Sequence, residues 1–388
     1  MLRRLVAHSI ANVPYYREIY RRAGISHNDI RSLSDWGKLP IVTKTDLQAV
    51  PLPDRCAIGS RGLKLNSGGT SGEPLGFLVD EKAFAREWAH MHHVWQARGY
   101  RRSDVKITFR GKHFGRNEPI RYSAVHNEFV VNASCSMEEV LSAARRCFSG
   151  QRSVWIWGYP SLIAEFAHLV STIHQSEQVR IRNSLKGILL GSEFPADVYR
   201  VPIESHLSTN TVSWYGHSEM ALLAAETGRG IYQSYPTYGF AEAVGGAQQD
   251  KTAFRLLSSS LHNLVHPFIR YDTGDLVDPV CMSKGVVAFR ISDGRVGDFV
   301  LDRAGRRHSL TAVIFGRHHR AFDKIRHVQV QDVGGGRIRL LVVPEHKPVS
   351  AEQLLNDFDL ADLDMDFTLE MMDAPVRTTA GKVRLLVP

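Results

Sequence analysis

Between residues 81 and 100 the segment EKAFAREWAHMHHVWQARGY sets Phe84, Trp88, Met91 and Trp95 at the spacing of one helix face. Gly99 follows where a helix end favours glycine. DVKITFRG comes next and reads as a strand. The two patterns then alternate: MEEVLSAARRCF and SLIAEFAHLVSTIHQ have helical spacing, whereas SVWIWGYP and LKGILLGSE are short apolar runs of strand type. That rhythm predicts a largely parallel sheet with helices on its faces. Ahead of it, residues 1 to about 50 read as two short helices, then an extended piece beginning at Pro40 and a helix from near Lys44 capped by Thr43.

From about residue 230 the pattern turns strand-rich, through GIYQSYPTYGFAEAVGG, FRLLSSSL, FIRYDTGDLV and VVAFRISDGRVGDFVLD. Antiparallel strands are expected there, as a sheet or a barrel. From about residue 309, DKIRHVQVQDVGGGRIRLLVVPEH reads as a hairpin turning at Gly334–Gly336, followed by a helix at SAEQLLNDF and a last strand. The expected fold class is α/β. It has a large N-terminal domain (1–300) of mostly parallel β-sheets flanked by helices, with a strand-rich subdomain, and a small α+β C-terminal lid domain (301–388).

Composition narrows the functional classes. The 388 residues are 43% hydrophobic and 23% charged, as in ordinary globular proteins. A formal charge of +8 suits an anionic ligand. Lys and Arg are dispersed and form no nucleic-acid-binding motif, so no nucleic-acid partner is expected. Cys56, Cys135, Cys147 and Cys281 are far apart, which disfavours a disulfide framework or a zinc knuckle. The histidine groups HMHH and GRHHR lack a matching cysteine or carboxylate set for a metal. The start is basic without a long apolar core, and no apolar run is long enough to cross a bilayer. A cytoplasmic enzyme with no membrane association is the expectation.

The stretch LNSGGTSGEPLGF (65–77) carries more glycine and hydroxyl than a turn needs. Glycines let a backbone approach a ligand, and successive amides with hydroxyls hold an anion such as phosphate. The loop fits neither a Walker A pattern nor a dinucleotide fingerprint.

SGGTSGEP resembles the phosphate loop of the adenylate-forming superfamily. Further segments follow in that family's order: WYGHSEMALLAAE (214–226), YDTGDL (271–276), ISDGRVGDFVLDRAGRR and the C-terminal TTAGKVRLLV. VPYYREIYRRAGI, SLSDWGKLPIVTKTDL, WGYPSLIAEFAHLV and LLGSEF are most similar to the branch of phenylacetate–CoA ligases, CapK-type proteins and coenzyme F390 synthetases. The resemblance spans nearly the whole chain. It implies that Ser67, Gly68, Gly69, Thr70, Ser71 and Gly72 wrap the ATP phosphates, that Glu219 holds Mg²⁺, and that Tyr215 and Gly216 lie against adenine. Asp275 would take the ribose hydroxyls, Arg295 would sit near ribose or phosphate, and Lys382 would clamp the carboxylate and α-phosphate. Gly191, Ser192, Glu193 and Ser218 join the nucleotide set, while His217 and Tyr159 face the acyl substrate. Thr70, Glu219 and Lys382 are the expected catalytic residues.

The implied function is activation of a small carboxylic acid by ATP and Mg²⁺ to an acyl-adenylate, followed by transfer to coenzyme A. Transfer to an amine or hydroxyl acceptor is the alternative, and a non-catalytic nucleotide-binding scaffold is a rival of another class. A homodimer is compatible with the resemblance. Two departures stand out: Glu73 replaces the usual lysine of the loop, and the C-terminal unit is short. No cysteine-rich element follows the Thr-Gly-Asp motif, where only CMSKG surrounds Cys281.

Overall fold

The computed structural model describes residues 1–67, 75–112, 114, 118–148, 153–245, 254–283, 286–293, 299–310, 313–314, 319–345, 349–377 and 383–387. Two compact units are present. Unit 1 comprises Met1–His93 and Trp214–Gly297, and unit 2 comprises Val94–Ser213 and Asp298–Pro388. The chain passes from unit 1 back to unit 2 at Gly297/Asp298, so the C-terminal residues belong to the same unit as Val94–Ser213.

Unit 1 opens with helices α1 (Leu2–Asn12), α2 (Pro14–Arg22), α3 (Lys44–Gln48) and α4 (Leu52–Arg55). Pro14 starts α2 at a position where its missing amide costs nothing. Thr43 caps α3 in a reciprocal box with Asp46, the cap expected from sequence. Strands β1 (Leu63–Asn66) and β2 (Gly76–Val79) pair antiparallel with Asn66 opposite Gly76, so the glycine-rich stretch joins the two arms of a hairpin. Helix α5 (Ala83–Gln96) buries Met91 and Trp95, but Phe84 is 40% exposed. Phe84 belongs to the first turn, where Ala83 takes the buried place instead.

Unit 2 supplies β3 (Val105–Lys112), β4 (Ile120–Ser123), β5 (Glu128–Asn132), α6 (Met137–Ala144), β6 (Val154–Gly158), α7 (Pro160–Thr172), α8 (Gln175–Ser184), β7 (Leu185–Leu190) and α9 (Asp197–Leu207). Strand β8 (Thr211–Gly216) follows, its first half in unit 2. Strands β5, β3, β6, β7 and β8 are parallel neighbours, and β4 closes the edge antiparallel to β5. Every residue of β6 is buried, as in a parallel strand covered on both faces.

The last residues of β8 turn antiparallel to β9 (Leu223–Gly228) in unit 1. There β10 (Ile231–Ser234), β11 (Gly239–Gly245), β12 (Phe254–Ser260), β13 (Tyr271–Ser283) and β14 (Val286–Asp293) continue in the order β9-β10-β14-β13-β12-β11. Among the described residues β11 pairs only with β12, so the strands form an open sheet rather than a barrel.

The chain re-enters unit 2 with the hairpin β15 (Phe299–Leu301) and β16 (Arg307–Ser309). It continues through β17 (Ile325–Gly334), β18 (Arg337–Pro344), α10 (Ala351–Asn356), β19 (Asp366–Met371) and β20 (Leu386–Val387). A four-stranded sheet results, in the order β19-β18-β17-β20. Gly334, Gly335 and Gly336 all have positive φ (87°, 65° and 75°), a backbone that L side chains resist, which explains the glycine run at this turn. Val328, Val330, Ile338 and Leu340 of this sheet share one buried cluster with Ile163 and Phe166 of α7 and Ile203 of α9.

Candidate active site

The end of β8 and the turn after it place the first motif. Tyr215 and Gly216 finish the strand, and Glu219 follows with only 7% exposure. An isolated buried carboxylate would be costly, and the local chemistry supplies partners. The Tyr271 hydroxyl donates to Glu219 Oε1 over 3.2 Å, and His217 Nδ1 lies 3.2 Å from Oε2. With a carboxylate opposite, Nδ1 takes the donor role. His217 Nε2 is buried and has no hydrogen-bond partner among the described residues. Such an atom forfeits about 1–3 kcal/mol unless something pairs with it.

The second motif arrives on β13. Thr273 Oγ1 accepts from the Asp275 amide (3.2 Å) and donates to the Leu256 carbonyl (2.8 Å), while Asp272 Oδ1 accepts from the Gly274 amide (3.0 Å). Gly274 has φ +78°, which glycine adopts without strain. This turn sets Asp275, 8% exposed, to accept a hydrogen bond from the Tyr215 hydroxyl, 60 residues away in sequence. The two motifs therefore meet through Tyr215–Asp275 and Glu219–Tyr271. Met220 (φ +51°) and Arg270 (φ +48°) flank them in left-handed conformations that non-glycine residues seldom adopt. Strain of this kind persists only where surrounding contacts enforce it.

Two participants escaped the motif reading. Glu87, on α5, lies close enough to His217 to feel its charge, and the Tyr238 hydroxyl donates to it. Burial pushes the Glu87 carboxyl above its ordinary range, against the Tyr238 hydrogen bond and the neighbouring histidines. Its signal was present: an acid inside the apolar stripe between Phe84, Trp88 and Met91 is out of character for a core face.

Ser67 is buried at the mouth of the glycine-rich stretch. Its amide donates to the Leu75 carbonyl (2.9 Å), and its hydroxyl oxygen accepts from the Leu75 amide (2.8 Å). Ser67 thus ties the two ends of the loop together. Gly68, Gly69, Thr70, Ser71, Gly72 and Glu73 lie outside the described residues, as do Arg295 and Lys382. Ser218 is described and exposed, in the turn before Glu219.

In unit 2, Gly191, Ser192 and Glu193 follow β7. The Gly191 amide donates to the Gly158 carbonyl (3.0 Å), and Ser192 is left-handed at φ +69°. Gly158 admits no side chain, because a Cβ there would stand 2.0 Å from the Phe109 carbonyl oxygen. Glu193 accepts from the Ser161 amide at the start of α7 (3.2 Å) and from the Val383 amide (3.0 Å). Burial raises its proton affinity, offset in part by these hydrogen bonds. Tyr159, beside Gly158, is 4% exposed in the core of the unit, and burial raises its phenol.

No protein-family model matches the chain, and no curated protein is similar to it in sequence. Solved structures are similar in fold. A 2-hydroxyisobutyryl-CoA ligase in the postadenylation state, in complex with 2-HIB-AMP, aligns with TM-score 0.71 at 16% identity, covering 100% of this chain and 87% of that one. The GH3.15 acyl acid amido synthetase aligns with TM-score 0.60 at 12% identity, covering 95% and 84%. ATP-bound MatB from Rhodopseudomonas palustris aligns with TM-score 0.51 at 14% identity, covering 84% and 68%. The chain has the fold of adenylate-forming ligases.

Proposed function

We propose that this protein is an ATP-dependent ligase that activates a carboxylic acid as its acyl-adenylate and passes the acyl group to coenzyme A. The observation that carries this reading is the meeting of Tyr215, Glu219, Tyr271 and Asp275 from two separate motifs, beside a buried His217 nitrogen without a partner among the described residues. A buried carboxylate paired with a tyrosine hydroxyl can exchange that partner for the hydroxyls of a ribose, which is the role proposed for Asp275. Tyr215 and Gly216 then border the adenine. Glu219 offers hard oxygen donors that fit Mg²⁺, a cation that binds one or two carboxylates together with substrate phosphates. The ion supplies charge neutralisation on the phosphates when bound.

In the first step the substrate carboxylate oxygen attacks the α-phosphorus and the bond to the pyrophosphate oxygen breaks. Lys382 and the amides and hydroxyls of residues 67–72 are the groups proposed to stabilise charge on phosphorus and its leaving group. His217 and Tyr159 orient the acyl portion, and Gly191, Ser192, Glu193, Ser218 and Arg295 complete the nucleotide set. In the second step a thiolate attacks the acyl carbonyl and AMP leaves. The 2-hydroxyisobutyryl-CoA ligase has also been captured with 2-HIB-AMP and CoA in the thioesterification state, with TM-score 0.59. This supports CoA as acceptor within the phenylacetate–CoA ligase-like branch. The likeness to an acyl acid amido synthetase over 95% of the chain favours a second reading, with an amine acceptor.

Carboxylate-dependent exchange of pyrophosphate into ATP tests the first step. Exchange is expected with at least one acid of a broad panel, falling about 100- to 1,000-fold in Lys382→Ala. Failure of every acid would leave a nucleotide-binding scaffold as the better account. AMP release that responds to CoA, or to an amine instead, then separates the two acceptors.

A further inference from the structure

Unit 2 contains a second convergence of chemistry-bearing side chains, formed from residues to which the ligase motifs assign no role. His168 on α7, His206 on α9 and Glu345, just past the end of β18, direct one donor atom each into a common space, all within 4.8 Å of one another. His168 Nδ1 is 3.1 Å from Glu345 Oε1, and the two imidazole rings are 5.1 Å apart between centroids. His168 is 7% exposed, while His206 and Glu345 are half-buried. Packing of α7 on α9 within the shared core holds the two helices in place.

We propose that His168, His206 and Glu345 form a zinc site that fastens the C-terminal sheet to helices α7 and α9. Two imidazoles and one carboxylate are a donor set that zinc takes with a water as fourth ligand. Bonds of about 2.0–2.1 Å in a tetrahedron set neighbouring donors about 3.4 Å apart, so the observed spacing needs only side-chain rotation to close on an ion. The three ligands come from three elements brought together by the fold, which is how a metal contributes to stability. The glutamate charge favours the cation. Opposing it is Arg182, whose guanidinium donates to the His206 carbonyl and to Gln178. A plain hydrogen-bonded His168–Glu345 pair is the competing account, and it predicts no metal affinity.

The test uses the full chain, stripped with chelator, dialysed and titrated with Zn²⁺ against a chromophoric competitor. One equivalent is expected to bind at low micromolar concentration or tighter, with a rise of a few degrees in Tm. Co²⁺ in place of zinc should give the visible absorption of a tetrahedral site. His206→Ala, at the half-buried position and therefore tolerant, should weaken zinc at least tenfold and abolish the cobalt spectrum. Glu345→Gln should weaken it less. Absence of stoichiometric binding overturns the proposal, as does binding that survives unchanged in both variants, which would place the metal on other histidines.

Discussion

The candidate-site acids of the two units are held in different ways. In unit 1, Glu219 and Asp275 take hydrogen bonds from the side chains of Tyr271, His217 and Tyr215. In unit 2, Glu193 is held by the main-chain amides of Ser161 and Val383. A side-chain partner can rotate away and let a ligand take its place. A main-chain partner cannot leave unless the chain moves with it. Unit 1 is thereby equipped to exchange hydrogen bonds with a bound molecule, and unit 2 to fix the C-terminal segment against α7.

Three experiments bear on that contrast. The largest effect is expected at Glu219→Gln, which removes the anion but keeps the shape. Exchange of pyrophosphate into ATP should fall about 100- to 1,000-fold, with little change in the unfolding midpoint. A matching loss of stability would show that Glu219 is structural, and the contrast would fail.

Next in size is an acid effect. Burial lowers His266 from 6.5 to about 3, with Arg55 adding to the shift, and the ring stacks on Phe268 with no carboxylate among the described residues to offset it. His327 in unit 2 is also pushed down by burial, but Glu165 opposes the change. Below pH 6.5 an unfolded histidine binds a proton that the folded His266 refuses. Its contribution to stability is therefore complete above pH 6.5 and is lost as pH falls toward about 3, at about 1.4 kcal/mol per pH unit. Urea unfolding across that window should show a shallower acid slope in His266→Phe than in the parent. An identical slope would remove His266 from the account.

The smallest effect separates acceptor from charge at Glu193. The Ser161 amide donates to Oε2 and the Val383 amide to Oε1, so Glu193→Gln keeps an acceptor for only one of them and should cost about 1 kcal/mol, whereas Glu193→Ala leaves both unpaired and should cost about 1–3 kcal/mol. Equal losses by chemical denaturation would mean that the charge, not the main-chain pairing, matters there.

The parts of the fold legible in sequence were those whose signal is local. The capping box at Thr43, the triple-glycine turn and the parallel β6 and β7 all follow from neighbouring residues. Helix α8 was not anticipated because it buries only Ile181. Helix α9 was masked by an internal Pro202. The site divides along the same line. Tyr215, Glu219 and Asp275 sit in short motifs, so their types and order were readable. Tyr271 gained its role only when β13 came to lie near the β8 turn. Glu87 and Tyr238, or His168, His206 and Glu345, carry no common spacing, and only tertiary packing makes them neighbours.

Arg270 carries a consequence for how the molecule is made. Its guanidinium donates to the carbonyls of Gly37 and Leu39 and pairs with Glu242, while Tyr16 bonds the backbone at Pro267 and Ile269. Val42 bridges the same stretch at Arg270 and Asp272. Gly37 and Leu39 must therefore wait, once synthesised, for a partner more than 230 positions downstream. At ordinary synthesis rates that is about 10–50 s with tyrosines and a tryptophan uncovered. Nascent-chain chaperones have that interval in which to act, and the strand that delivers Tyr271 and Asp275 locks only when it ends.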